Sequence, residues 1–303
     1  MKLSVIIPCF NAADTIGVQL EALANQQWSE PWEVIVSDNG STDNSMEVVK
    51  QYEGRLPHLR IVDASGKRGR AYARNVPAQV ARGESLAFCD ADDEVAPGWL
   101  AAMGEALSEH DFVACRIDVY KLSPIWIAKM RRHSQESGLQ TRGAPPSLSH
   151  AGGGTIAVKR RLHDEVGGFD ESLIYQEDTD YCWRIELKGA KLHFVPEAVM
   201  HVRLRDTLMG NYRQAFNWAE YSILLRRKHL PLSMPKRIWK DGVYTCVNLV
   251  CGFILSAPKI RSKSDLVRWS WAFGEGLGRL KGSVKHKHSG FDSGRSSLGQ
   301  STK

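Results

Sequence analysis

The sequence has no Cys-x-x-Cys pair. Its six cysteines stand singly at positions 9, 89, 115, 182, 246 and 251, a pattern that argues against structural zinc and suits a reduced, cytoplasmic chain. It also lacks an apolar run of the roughly 20 residues that a membrane-spanning helix needs. The most apolar stretch, Val243 to Leu255, is shorter and is interrupted by Asn248, so it reads as a buried or membrane-interface helix. The amino terminus has no signal-peptide pattern, because Leu3-Ser4-Val5-Ile6-Ile7 enters a strand at once. Acidic residues become scarce towards the end. Residues 1–200 carry 21 Lys+Arg and 28 Asp+Glu, whereas residues 201–303 carry 19 and 6, a local net charge of +13. A soluble basic helical region explains this split, as does a surface for an anionic partner. The basic residues are not interleaved with a nucleic-acid recognition motif, so an anionic membrane is the partner expected and nucleic acid is not.

What is present is enough apolar chain for folding: 43% of 303 residues, sufficient for one large or two smaller cores. The first half alternates strands and helices. Leu3–Ile7, Glu33–Val36, Leu59–Val62 and Ser85–Cys89 read as strands. Asp14–Ala24, Thr42–Tyr52 and Gly69–Arg82 read as helices, the first capped from Asp14 or Thr15 and the second from Ser41 or Asp43. Such alternation predicts an α/β fold with a mostly parallel sheet flanked by helices. Residues 122–154, with three prolines and Gly152-Gly153-Gly154, read as a mobile connection, either a binding loop or a surface insertion. An extended segment, Thr155–Val158, follows. Glu177–Leu187 reads as a further helix and Leu192–Val195 as a strand, with His201 beyond Pro196.

The densest chemistry is Asp90-Ala91-Asp92-Asp93, directly after the strand Ser85–Cys89. Clustered carboxylates repel one another and call for a cation. An oxygen-only donor set suits Mg²⁺ or Mn²⁺, commonly held by one or two carboxylates together with substrate phosphates. A solvated turn is the plain alternative. Ligands of parallel α/β sheets sit beyond the carboxyl ends of strands, and Asn11, Asp38 and Asp90 all fall there.

Five segments carry a family resemblance in order over about residues 3–201. They are Ser4-Val5-Ile6-Ile7-Pro8-Cys9-Phe10-Asn11-Ala12; Val34-Ile35-Val36-Ser37-Asp38-Asn39-Gly40-Ser41-Thr42-Asp43; Gly69-Arg70-Ala71-Tyr72-Ala73-Arg74-Asn75; Asp90-Ala91-Asp92-Asp93; and Gly167-Gly168-Phe169-Asp170-Glu171 followed by Glu177-Asp178 and Arg184. Together the pattern resembles the inverting family 2 glycosyltransferases. The resemblance implies a GT-A (Rossmann-like) fold, a nucleotide-diphosphate sugar donor and a divalent metal, Mn²⁺ or Mg²⁺.

The implied roles are these. Pro8, Phe10 and Asn11 border the donor, and Asp38 accepts a hydrogen bond from the base. Lys67 and Arg70 offer charge to phosphate, and Arg74 stands in the helix bordering the nucleotide. Asp90 and Ala91 lie against the donor. Asp92 is the expected direct metal ligand, Asp90 contacts ribose or metal, and His201 is either a further metal ligand or a structural histidine. Asp178 matches the catalytic base, and Glu177 tunes it or holds the acceptor. Asn39 stands where a second acid is common, so the base is left open: uridine by default, thymidine or guanosine otherwise. The acceptor is a saccharide or a lipid-linked group, as in cell-envelope polysaccharide or glycolipid synthesis.

The expected organisation is a catalytic domain over 1–206, with a nucleotide-binding half at 1–95 and an acceptor-side half at 96–206. A basic helical extension over 207–287, peripheral on the inner face of the cell membrane, and a disordered tail at 288–303 complete it. A nucleotidyltransferase is the enzymatic alternative, but Pro8-Cys9-Phe10-Asn11 replaces the Gly-rich phosphate loop it would need. A silent nucleotide-sugar-binding scaffold is the non-enzymatic one.

Overall fold

The computed structural model describes residues 1–131, 134–141, 148–229, 252 and 260–286. Apart from Gly252, the apolar stretch Val243 to Leu255 and the tail at 288–303 lie outside the described residues.

The chain alternates as its periodicity predicts: β1 (Leu3–Cys9), α1 (Ile16–Ala24), β2 (Trp32–Asp38), α2 (Ser45–Lys50), β3 (Arg60–Asp63), α3 (Arg70–Val80) and β4 (Ser85–Phe88). A two-residue β5 (Glu94–Val95), α4 (Trp99–Glu109), β6 (Phe112–Asp118) and α5 (Ile125–Met130) follow. Next come β7 (Gln140–Thr141), β8 (Ser149–His150), β9 (Ile156–Lys159), α6 (Arg160–Glu165), α7 (Glu177–Leu187) and β10 (His193–His201). Two long helices, α8 (Leu208–His229) and α9 (Lys263–Lys285), complete the described chain.

Eight strands form one sheet in the order β3-β2-β1-β4-β9-β6-β10-β5. The first four run parallel, β9 is antiparallel to both neighbours, and β10 runs parallel to β6. Both faces are apolar. Val5, Ile7, Val34 and Val36 pack with Leu20 of α1 and Met103 of α4, whereas Ile6, Ile35 and Phe88 pack with Ala78 of α3 and Tyr181 of α7. Runs such as Ser4-Val5-Ile6-Ile7 are therefore apolar throughout rather than alternating. Cys9, Cys89, Cys115 and Cys182 are buried free thiols.

β10 is longer than the four residues the sequence suggests. It runs on through Pro196, past an irregularity between Val195 and Val199 in its pairing with β6. A proline costs little where no ladder hydrogen bond is asked of it. In the segment 122–154, the described residues include α5 and a short hairpin, with Ile127, Ala128 and Gln135 fully buried.

α8 and α9 pack in parallel. Ser270 donates to the Leu208 carbonyl at 3.2 Å, an offset of 62 residues. Gly274, Gly278 and Gly282 repeat that offset: a Cβ on each would stand 2.6, 2.1 and 2.7 Å from the carbonyl oxygens of Tyr212, Phe216 and Glu220. Buried Glu220 receives Lys281 at 2.8 Å and Lys285 at 2.9 Å. Among the described residues, no helix is long and apolar enough to cross a membrane.

Candidate active site

The parallel register sets the site. Cys9 pairs with Asp38 and Ile6 with Phe88, so the chain leaves β1, β2 and β4 at one sheet edge. Asn11, with φ of 48°, takes the Thr42 N–H on its Oδ1 at 2.8 Å. Asp38 Oδ1 takes the Ser41 N–H at 2.8 Å, which leaves Oδ2 for a donor outside this loop. Phe10 is half exposed beneath the Arg68 guanidinium, 4.1 Å from its centroid.

Asn39 accounts for its own identity. Its amide donates to the carbonyls of Ala64 and Lys67 at 2.6 and 2.7 Å, and its Oδ1 accepts the Gly69 N–H at 3.0 Å. A carboxylate cannot donate. The departure from the acidic pattern therefore holds the 64–69 loop, and Gly69, at φ 139°, turns that loop into α3.

From α3, Arg74 reaches two elements at once. It is 1% exposed, donates to Asp90 at 2.7 Å and to Glu177 at 3.1 Å, and lies over the Phe169 ring. Gly153 and Gly154 make room for this arrangement. A Cβ on Gly153 would stand 2.9 Å from Arg74 Cζ, and one on Gly154 would stand 2.7 Å from Asp90 Cγ. The Gly153 N–H donates to Asp178 Oδ2 at 3.2 Å and the Thr179 N–H donates to Oδ1 at 2.7 Å, so backbone fixes both oxygens of that carboxylate. Glu177 is buried, and its carboxyl is pushed up to about 7 by that burial and by Asp178, against the pull of Arg74. Both carboxylates start α7, which follows Gln176 in the left-handed region at φ 66°.

Asp90, Asp92, Arg70, Arg74, Glu177 and Asp178 line one cavity of about 560 Å³. Oxygens of Asp90, Asp92 and Asp93 lie within 4.8 Å of one another. Asp92 opens onto the cavity, yet the surrounding walls and then Asp90 raise its carboxyl. Asp93 is buried and raised well above the carboxylate range by that burial, then by Asp92 and Asp90; its Oδ1 takes the Arg203 N–H at 3.0 Å. An all-carboxylate set fits a hard divalent cation such as Mn²⁺ or Mg²⁺, and Asp90 and Asp92 are its more accessible members.

Other expected residues fall elsewhere. Pro8, Phe10, Asn11, Asp38 and Lys67 are not among the residues lining the cavity. Lys67 pairs with Glu171 at 3.0 Å. His201 is also outside the lining, with Nδ1 2.6 Å from Asp118 Oδ2. Arg131, Tyr175, Arg203, Arg205 and Trp218, which are not among the residues the sequence singles out, also line the cavity. Arg203-Leu204-Arg205 directly after β10 was the available clue, because a strand end opposite an acid cluster is a natural place for cations. Nothing in the local sequence marked Trp218.

The sequence matches the family model "Glycosyl transferase family 2" over residues 4–167. The chain belongs to glycosyltransferase family 2. A second model, "Glycosyl transferase family group 2", matches residues 86–273. The chain is 39% identical to the uncharacterized glycosyltransferase YibD of Escherichia coli over 125 residues, covering 41% of this chain and 34% of YibD. It is 30% identical over 150 residues to TarS of Staphylococcus aureus, a poly(ribitol-phosphate) beta-N-acetylglucosaminyltransferase, covering 49% of this chain and 23% of TarS. These matches span less than half of either relative.

Among solved structures, TarS 1–349 in complex with UDP superposes with a TM-score of 0.55 at 18% identity, covering 94% of this chain and 92% of that one. The mannosyltransferase PcManGT from Pyrobaculum calidifontis, in complex with GDP-Man and Mn²⁺, gives 0.64 at 19% identity, covering 94% and 86%. The shared architecture is the GT-A fold.

Proposed function

We propose that this glycosyltransferase moves a sugar from a nucleotide-diphosphate sugar to an acceptor hydroxyl, with inversion and with Mn²⁺ or Mg²⁺. The observation that carries this reading is the Arg74 bridge. It ties the acid cluster after β4 to the Glu177–Asp178 pair of α7, so a group for the leaving diphosphate and a base for the acceptor share one cavity. Asp38 accepts a base N–H on its free oxygen. Asp178 takes the proton of the acceptor hydroxyl as that oxygen attacks the anomeric carbon and the bond to the diphosphate breaks on the opposite face. The two backbone N–H groups on Asp178 hold its carboxylate at the required orientation. Arg74 keeps Glu177 and Asp90 from repelling their neighbours. Asp90 and Asp92 would hold the metal, which when bound supplies positive charge to the departing diphosphate.

The donor nucleotide is uridine by default. TarS and PcManGT, crystallised with UDP and with GDP-Man, keep guanosine open as well. The similarity to TarS, a poly(ribitol-phosphate) beta-N-acetylglucosaminyltransferase, supports a role in cell-envelope polysaccharide synthesis. The net charge of +13 over residues 201–303 supports attachment to an anionic membrane.

The test is Asp178→Asn. Nucleotide sugars screened with Mn²⁺ by thermal shift identify a bound donor through the stabilisation that ligand binding gives. The variant should keep that shift and lose transfer, read as release of nucleoside diphosphate in the presence of acceptor. Full transfer by Asp178→Asn would remove the base assignment.

A further inference from the structure

The cavity has a second, cationic wall. Arg131 follows α5. Its guanidinium carbon is 4.0 Å from the Trp271 ring centroid and 6.0 Å from that of Trp218, and Nη1 donates to Gln214 Oε1 at 2.9 Å and Asn211 Oδ1 at 3.5 Å. All four partners are uncharged. Among the described residues, neither Arg131 nor Arg205 forms an ion pair with a carboxylate, although Asp206 borders the same cavity. The contrast with Arg74, neutralised by two carboxylates in the same cavity, is direct. Burial, and then the like charge of Arg205, lowers Arg131 to about 10. Two aromatic rings and two amides thus hold a cation without a counter-ion, where an entering anion would form charge-assisted bonds.

The position separates this wall from the base-side residues of the donor seat, although the charge of Arg205 also reaches Asp92. Asp38, Phe10 and Asn11 sit at the ends of β1 and β2, on one side of β4. Arg131 follows the helix after β6, Arg205 follows β10, and both strands lie on the other side of β4.

We propose that the acceptor carries an anionic group, a phosphate or a carboxylate, which seats on Arg131 beside Arg205. The proposal rests on the glycosyl-transfer reading and adds the chemical class of acceptor. The planar guanidinium of Arg131, propped by Gln214, presents its remaining N–H groups to two oxygens of one oxyanion.

The full chain is first saturated with Mn²⁺ and the nucleoside diphosphate that stabilises it most, which fills any diphosphate seat. Inorganic phosphate, glucuronate and, as a neutral control, glucose are then titrated by NMR or calorimetry. Phosphate or glucuronate should bind saturably and glucose should not. Arg131→Gln and Arg205→Gln should each weaken the anion by about tenfold or more, with nucleotide affinity changed less than about twofold. Arg205 is exposed, so its variant decides the matter if Arg131→Gln folds poorly. The proposal is overturned if no anion binds, if binding survives both substitutions, or if nucleotide affinity falls in parallel, which would make the arginines part of the donor seat. A chain that binds no nucleotide at all would instead remove the glycosyl-transfer reading, and the phosphate titration on the free protein would still judge the arginines.

Discussion

The Arg74 guanidinium lies 3.1 Å from the Glu177 carboxylate although 103 residues separate them. The same side chain, almost entirely buried, donates to Asp90. One arginine therefore fixes the spacing between the acid cluster and the paired carboxylates of α7. The glycine run 152–154 matters for the same reason: only hydrogen at Gly153 and Gly154 lets the loop approach that ion triad.

Removing Arg74 strands the buried Glu177 carboxylate and takes the partner from the half-buried Asp90. Arg74→Met should lower the free energy of unfolding by about 3–5 kcal/mol, measured by urea denaturation. Adding Glu177→Gln to that variant should recover part of the loss, because the glutamine no longer needs a counter-charge. No recovery in the double variant would show that the cost lies in packing against Phe169 rather than in charge.

His163 gives a pH signature away from the reaction. It is buried, its Nδ1 is 2.8 Å from the Tyr181 hydroxyl, and burial lowers it to about 4, with Arg160 and Arg184 also disfavouring its charge against the pull of Asp164. Below its ordinary value of 6.5 the unfolded chain binds a proton that the native chain refuses. Stability therefore falls as pH drops from about 6.5 to 4, by about 3 kcal/mol at most. His163→Gln keeps a polar partner for Tyr181 and should flatten the urea midpoint across that window. An unchanged slope would assign the acid loss to other groups.

The α8–α9 contact predicts sharp sensitivity at Gly278. A Cβ there would meet the Phe216 carbonyl oxygen at 2.1 Å, and backbone cannot step aside as a side chain can. Gly278→Val should cost about 2 kcal/mol or more, seen as a lower melting temperature. Arg279→Ala, one residue on, removes only an exposed pair with Glu275 and should stay within about 0.5 kcal/mol. Equal effects from the two would mean that helix propensity, not interhelical contact, governs this segment.

The parts of the fold that repeat locally were legible. β1, β2, β4, α3 and α7 lie within a few residues of their predicted spans, because apolar runs and terminal Gly or acidic residues mark them directly. Asp90, Asp92, Glu177 and Asp178 were legible as acids at element ends, and the cavity does bring them together. Three features were not legible. Asn39 departs from the acidic pattern because its amide holds Ala64, Lys67 and Gly69 through contacts distant in sequence. β10 looked short because Pro196 falls inside it. The cationic wall of Arg131, Trp218 and Trp271 draws on three segments from 131 to 271, and such convergence leaves no periodic trace in sequence. Trp271 of α9 packs on Arg131, and α9 lies along α8.

The carboxylate cluster after β4 carries the last prediction. Asp92 and Asp93 are both raised, each first by burial and then by its acidic neighbours. A cation entering there must displace whatever protons these groups hold, so metal binding and proton release are coupled. Apparent Mn²⁺ affinity, measured by calorimetry or electron paramagnetic resonance, should fall as pH is lowered into the range where these raised carboxyls take up protons, and protons should be released on binding. Asp92→Asn should weaken Mn²⁺ by about tenfold or more while leaving the fold intact, since Asp92 is exposed and no ion pair depends on it among the described residues. Asp90→Asn should do more, because it also loosens Arg74 and with it Glu177. Mn²⁺ binding that is independent of pH and survives Asp92→Asn would place the cation elsewhere, and the cluster would then serve Arg203 and Arg74 as a structural counter-charge.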